Sequence, residues 1–267
     1  MTSALGLLRG PRVVLLDYGS GNLHSASRAL AAAGATVVVA GDLTGVDVDE
    51  LLAGTIGAWE TSGRAVSVVR TPAPRADDAA RVVLVDRPGS VQSEILIGGP
   101  GPDRRVESGW APFPVLAWVI GGAPNARIDQ VLREDKGYTY GARGGLNALR
   151  AGGIVQASAD VRNEVTGAAI GEFIYEFGKL NDYPVPAQEL EDTKRYVAGG
   201  YLIGNQMQAS VAQSLATNWL YGLPPEFLGE YVPKVRAVSA AQVQAMAKKY
   251  YATKDQSIIV VGDYKAV

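Results

Sequence analysis

The chain has 267 residues, 47% hydrophobic and 19% charged, with a formal net charge of −2. That is ample for a core without covalent staples and gives no electrostatic reason to expect nucleic acid or an anionic membrane as partner. With no cysteine and a single histidine, His24, the composition excludes disulfides, thiolate metal sites and cysteine nucleophiles, and falls short of the two or three imidazoles of a histidine-based zinc site.

In chain order, the run RVVLLD at 12–17 predicts a buried strand that ends in the turn Tyr18-Gly19-Ser20-Gly21. A helix over 23–33, capped by Asn22 or Ser25 and closed at Gly34, leads to a second strand, VVVAGD, at 37–42. Val48, Leu51, Leu52, Ile56 and Trp59 recur at helical spacing and predict an amphipathic helix over 47–59. Ser, Arg, Pro, Ala and Asp then dominate 61–79, the composition of a linker. The runs RVVLVDR at 81–87 and QSEILIG at 92–98, joined by Pro88-Gly89-Ser90, predict a paired hairpin. Helices follow over 110–120 and 126–134, separated by Gly121-Gly122, then a second strand pair at 138–146 and 153–161. Helices are expected over 166–180, 186–203, 210–220, 225–235 and 240–250, and a last strand, SIIVVGD, at 257–263. VVVAGD at 37–42 and IIVVGD at 258–263 are the same strand-turn element. No apolar run reaches the ~20 residues needed to cross a bilayer, and the first residues have neither a basic leader nor a small-residue cleavage site. A cytoplasmic location is therefore expected.

Four stretches carry a resemblance in a fixed order: VVLVDRPGSVQSEILIGGPGP at 82–102, ARIDQVLREDKGYTYGARGG at 126–145, ASADVRNEVTGAAIGEF at 157–173, and LATNWLYGLPPEFLGEYVPKVRAVSAAQVQAMAKKYY at 215–251. With them, residues 36–267 resemble the non-catalytic C-terminal half of the pitrilysin/insulinase-type zinc metallopeptidases, a family that includes mitochondrial processing peptidase. The resemblance implies an α+β fold, a mixed, mainly antiparallel sheet with helices packed on one face. Two homologous halves of this kind close like a clamshell on a peptide. The catalytic half carries the zinc motif H-x-x-E-H, and the second half carries no metal but supplies an arginine and a tyrosine that reach the substrate. Arg133 and Tyr140, in LREDKGYTY, stand at those two positions. A helix end and the strand after the Lys136-Gly137 turn would let them converge, and both donate hydrogen bonds near neutral pH without exchanging a proton. Such donors suit a peptide carbonyl or the oxyanion formed when water attacks it. The other reading of the same residues pairs Arg133 with Glu134 or Asp135 and leaves Tyr140 to sheet packing. Pro124 departs from the family's Gly-Gly-x-x-x-Ser-Arg pattern and removes a backbone N–H from the loop at 121–127.

Residues 12–35 are similar instead to the opening strand, turn and helix of the glutamine amidotransferase subunit of imidazole glycerol phosphate synthase. Without a cysteine or a later histidine that chemistry is excluded. The expected organisation is a β-α unit over 1–35, a remnant of the catalytic half's end over 36–60, a linker over 61–79 and an inactive peptidase-family domain over 80–267. The implied function is a non-catalytic subunit that binds a peptide substrate and completes the chamber of a zinc-carrying homologous subunit. The alternative is a catalytically silent scaffold that self-associates. In either case zinc, the family's cofactor, is expected only in a partner.

Overall fold

The computed structural model describes residues 12–14, 36–38, 44–47, 50, 81–104, 109–123, 125–148 and 152–266. His24, Pro124, the turn at 18–21, the helix expected over 23–33, most of the helix expected over 47–59 and the segment 61–79 lie outside them. Asp47 Oδ1 accepts from Glu50 N at 3.0 Å, the geometry of a helix N-cap where that second helix was expected to begin.

The described residues fall into two units, one holding 81–200 with 229–266 and the other 201–228 with the described residues before 51. In the second unit, β1 (Arg12–Val14) pairs in parallel with β2 (Thr36–Val38). The first unit is built on five strands: β3 (Val82–Asp86), β4 (Gln92–Gly101), β5 (Ala142–Ala148), β6 (Gly153–Arg162) and β7 (Ser257–Gly262), in the order β3-β7-β4-β6-β5. Only the β3–β7 pair is parallel. The sheet is thus mixed and mainly antiparallel, as expected.

Alternation along β4 and β6 decides which face is covered. Ile95, Ile97, Val155, Ala157, Ala159 and Val161 are buried, while Gln92, Glu94, Gln156 and Asp160 on the opposite face are exposed. On the buried side lie α3 (Thr166–Asp182) and α7 (Ala240–Tyr250). Ala169, Phe173, Phe177 and Leu180 form the apolar stripe of α3 at helical spacing. Burying each large side chain of this stripe contributes about 1.5–3 kcal/mol. A capping box of Ser239 and Gln242 starts α7. The remaining long helices are α4 (Ala187–Gly204), α5 (Gln208–Leu220) and α6 (Phe227–Arg236).

One pairing differs from the sequence expectation. The runs at 82–86 and 92–101 do not form a hairpin, because β7 lies between them, parallel to β3 and antiparallel to β4. Alternation assigns a strand's faces but does not name its neighbours. The Pro88-Gly89 turn instead crosses the end of β7: Arg87 N donates to Gly262 O at 2.7 Å, and Gly89 N donates to Asp263 Oδ2 at 2.9 Å. Gly89 has φ +81°, a conformation that side-chain-bearing residues rarely adopt.

Two helical segments have wide turns. Helix α1 (Pro112–Ala117) continues as a π-turn over Trp118–Gly122, and α2 (Arg127–Asp129) continues as one over Gln130–Asp135. The π form is rare and concentrates at functional sites. Here the double glycine shows why the first one forms at this place. A Cβ on Gly121 would come within 2.1 Å of Gly144 N and 2.5 Å of Gly144 Cα, so the helix backbone rests directly on β5.

Candidate functional site

Arg133 sits in the π-turn that extends α2, its side chain about half exposed. The turn ends at Gly137, whose φ is +61°. Tyr138 N donates to Leu132 O and Gly137 N to Arg133 O, so the closing bonds reach back six and four residues. A Schellman close of an α-helix reaches back five and three residues, so the six-residue bond of Tyr138 N carries the wide turn through to the cap. Lys136 Nζ lies 3.1 Å from a Glu172 carboxylate oxygen on α3, which raises the lysine's pKa and ties the cap to the neighbouring helix.

Tyr140 is not within a strand as expected, since β5 starts only at Ala142. It occupies a bend just before the strand and is 94% exposed. Thr139 Oγ1 braces that bend, accepting from Gly141 N at 3.1 Å and donating to Gly141 O at 3.0 Å. The phenol therefore projects into solvent from a held turn rather than packing on the sheet.

Arg133 has carboxylate neighbours, but only one is among the two expected. Glu134 Oε1 lies 3.4 Å from its Nε, and Asp129 Oδ2 lies 3.6 Å from its Nη1. Both separations exceed a good charge-assisted hydrogen bond, so the guanidinium keeps donors for another partner. Asp129 is a residue the sequence reading missed. It is 5% exposed, and its Oδ1 accepts from Ala142 N at 2.8 Å. Its signal was an acid four residues before Arg133 on one helix face.

A second missed feature lies at the other end of α2. Arg127 grips Glu189 of α4 through two hydrogen bonds of 2.8 Å, Nε to Oε1 and Nη2 to Oε2. Burial alone lowers the arginine's pKa, but the hydrogen bond and charge of Glu189, helped by Glu176, outweigh it and raise the pKa. Beside this clamp opens a cleft of about 410 Å³ lined by Trp118, Asn125, Gln188, Asp192 and Tyr196, among others. The Trp118 and Tyr196 rings stand 4.6 Å apart, tilted by 48°.

The zinc of catalytic halves does not fit this donor set. The sequence has one histidine and no cysteine, and no group of three His, Cys, Asp or Glu side chains suited to a metal occurs among the described residues. Nor, among the described residues, is any helix long and apolar enough to cross a membrane.

Comparison with known proteins follows this geometry. The peptidase M16 inactive domain family matches residues 27–197. Among solved structures, the peptidase M16 inactive domain from Pseudomonas fluorescens superposes with a TM-score of 0.70 at 23% identity, covering 80% of this chain and 50% of that one. A protease from Helicobacter pylori gives 0.75 at 15% identity, covering 85% and 54%. This chain thus spans about half the length of those structures, and the likeness to them is one of fold. A short match of another kind, 44% identical over 61 residues, relates 22% of this chain to 29% of the imidazole glycerol phosphate synthase subunit HisH of Thermobifida fusca. It is longer than the segment 12–35 in which that resemblance was read.

Proposed function

Because this chain belongs to the peptidase M16 family, as its inactive domain, we propose that it binds peptide and completes the active-site chamber of a zinc-carrying homologous partner. The partner supplies the metal and the activated water. This chain supplies a cationic and a neutral hydrogen-bond donor, the guanidinium of Arg133 and the phenol of Tyr140. Their target is a peptide carbonyl, or the oxyanion that replaces it as the bond is attacked.

The observation that carries this reading is Tyr140, 94% exposed on a bend where Thr139 Oγ1 bonds both N and O of Gly141, seven residues from a half-exposed Arg133. An aromatic side chain held out into water by a rigid turn gains nothing from burial within its own chain. Mixing this chain with a homologue that carries H-x-x-E-H is expected to produce peptide hydrolysis that neither shows alone. Arg133→Ala and Tyr140→Phe are each expected to lower kcat/KM of the pair about tenfold, on the order of 1.4 kcal/mol. Unchanged kinetics in both variants would remove the assignment. The second reading, a catalytically silent scaffold, draws on the carboxylates of Asp129 and Glu134 beside Arg133, and is favoured if no homologue restores activity and the chain self-associates.

A further inference from the structure

We infer that Asp129 is the positioning residue of this site, a single buried carboxylate that sets both the Arg133 guanidinium and the Tyr140 bend. The inference rests on the peptide-contact reading of Arg133 and Tyr140 but is tested apart from it. The two side chains are carried by different elements, the π-turn after α2 and the bend before β5. Between them lies the glycine cap at Gly137, at positive φ and closed by the bonds of Gly137 N to Arg133 O and Tyr138 N to Leu132 O. Those bonds end at Tyr138, so a further contact is what joins the start of β5 to the helix side.

Asp129 does so from beneath. Its Oδ1 takes the N–H of Ala142, the first residue of β5, at 2.8 Å. An ideal Cβ on Gly141 would stand 3.8 Å from the same oxygen, so the backbone directly after Tyr140 lies on the carboxylate. The other oxygen, Oδ2, faces Arg133 Nη1 at 3.6 Å from one helical turn away. One oxygen thus holds the strand end, and the second draws the arginine toward it by charge, alongside Glu134 Oε1 at 3.4 Å. The residue is 5% exposed, so water does little to screen its bond to Ala142 N, whereas the half-exposed Arg133 leaves the ion pair partly screened.

The two halves of this role separate chemically. Asp129→Asn keeps a carbonyl oxygen for Ala142 N but turns an NH2 group, a donor, toward the guanidinium. Asp129→Ala removes both. In the full chain, amide hydrogen exchange at Ala142 is expected to stay within about threefold of wild type in Asp129→Asn and to accelerate at least tenfold in Asp129→Ala. Binding of fluorescein-labelled β-casein, an unfolded polypeptide probe, is read by anisotropy. Asp129→Asn is expected to weaken it about as much as Arg133→Ala does, roughly fivefold, and the double variant no further, because the two changes remove one arrangement. A residue that merely stabilised the fold would weaken binding in Asp129→Asn and Arg133→Ala independently, so that the losses multiply.

Ala142 exchange in Asp129→Ala equal to wild type overturns the inference. So does casein affinity in Asp129→Asn equal to wild type while Arg133→Ala weakens it, or a multiplied loss in the double variant. If Arg133→Ala and Tyr140→Phe both leave casein binding unchanged, the peptide-contact reading falls instead. The positioning role is then decided by Ala142 exchange together with the Nη–H exchange of Arg133, which is expected to rise in Asp129→Asn and whose constancy overturns it.

Discussion

The Tyr251 side chain is wholly buried, and its hydroxyl donates to Gly145 O of β5 at 2.9 Å while its ring meets Phe177 edge-on at 5.0 Å. Burial pushes the phenol's pKa up, because a phenolate there would lose its hydration. In the unfolded chain a tyrosine titrates near 10. Above that pH the unfolded state releases a proton that the folded state keeps, so rising pH favours unfolding. Stability is therefore full below about pH 10 and falls above it, by up to about 1.4 kcal/mol per pH unit from this group. Tyr251→Phe is expected to flatten that part of the profile and to cost about 1 kcal/mol at neutral pH for the lost hydrogen bond. Urea unfolding between pH 7 and 11 measures both. At this scale Arg133 and Tyr140 stand out through the family resemblance of the segment LREDKGYTY and not through their own chemistry. Asp129 does not stand out, because a carboxylate one residue after Ile128 in an amphipathic helix reads as an ordinary flank until the Ala142 N–H is seen to meet it.

Among the elements, the sequence announced the strands β4 and β6 and the helix α3, while the faces they bury are read from the structure. The π-turns were not announced, since their width is set by what they rest on. Gly121 touches Gly144 across the gap between the α1 extension and β5, and the Cβ of Gly144 would itself come within 3.4 Å of Gly121 Cα. Gly121→Ala is expected to destabilise by about 1–3 kcal/mol, as overpacking does. Gly145→Ala, at a neighbouring position with open space around the added methyl, is expected to stay within about 0.5 kcal/mol of wild type. Equal midpoints for the two variants in a denaturant titration would show that the close approach does not matter. The misread hairpin belongs to this scale too. The runs at 82–86 and 92–101 are adjacent in sequence, and a short Pro-Gly connection normally joins neighbours. The pairing of β7 with both strands, with the hydrogen bonds from Arg87 N to Gly262 O and from Gly89 N to Asp263, shows the connection passing over an intervening strand.

For the molecule as a whole, the composition already bounded the chemistry. One histidine and no cysteine leave no donor set for a structural zinc, which in small metal-dependent domains contributes on the order of 10 kcal/mol or more to folding. Dialysis of the purified chain against a chelator is therefore expected to leave its thermal midpoint unchanged and to release no stoichiometric zinc. A fall of several degrees would place a metal where these residues offer none. The position of β7 bears on how the chain is made. Gly89 and Asp263, bonded to each other, are 174 residues apart. On the ribosome, β3 and β4 emerge early yet cannot take their final places until the strand that separates them has been synthesised and inserted. Until that moment Val82, Leu84 and Val85 lack the neighbour they have in the finished sheet. Such long-range closure is slow and, until it is complete, leaves the hydrogen-bonding edges of β3 and β4 open to other chains.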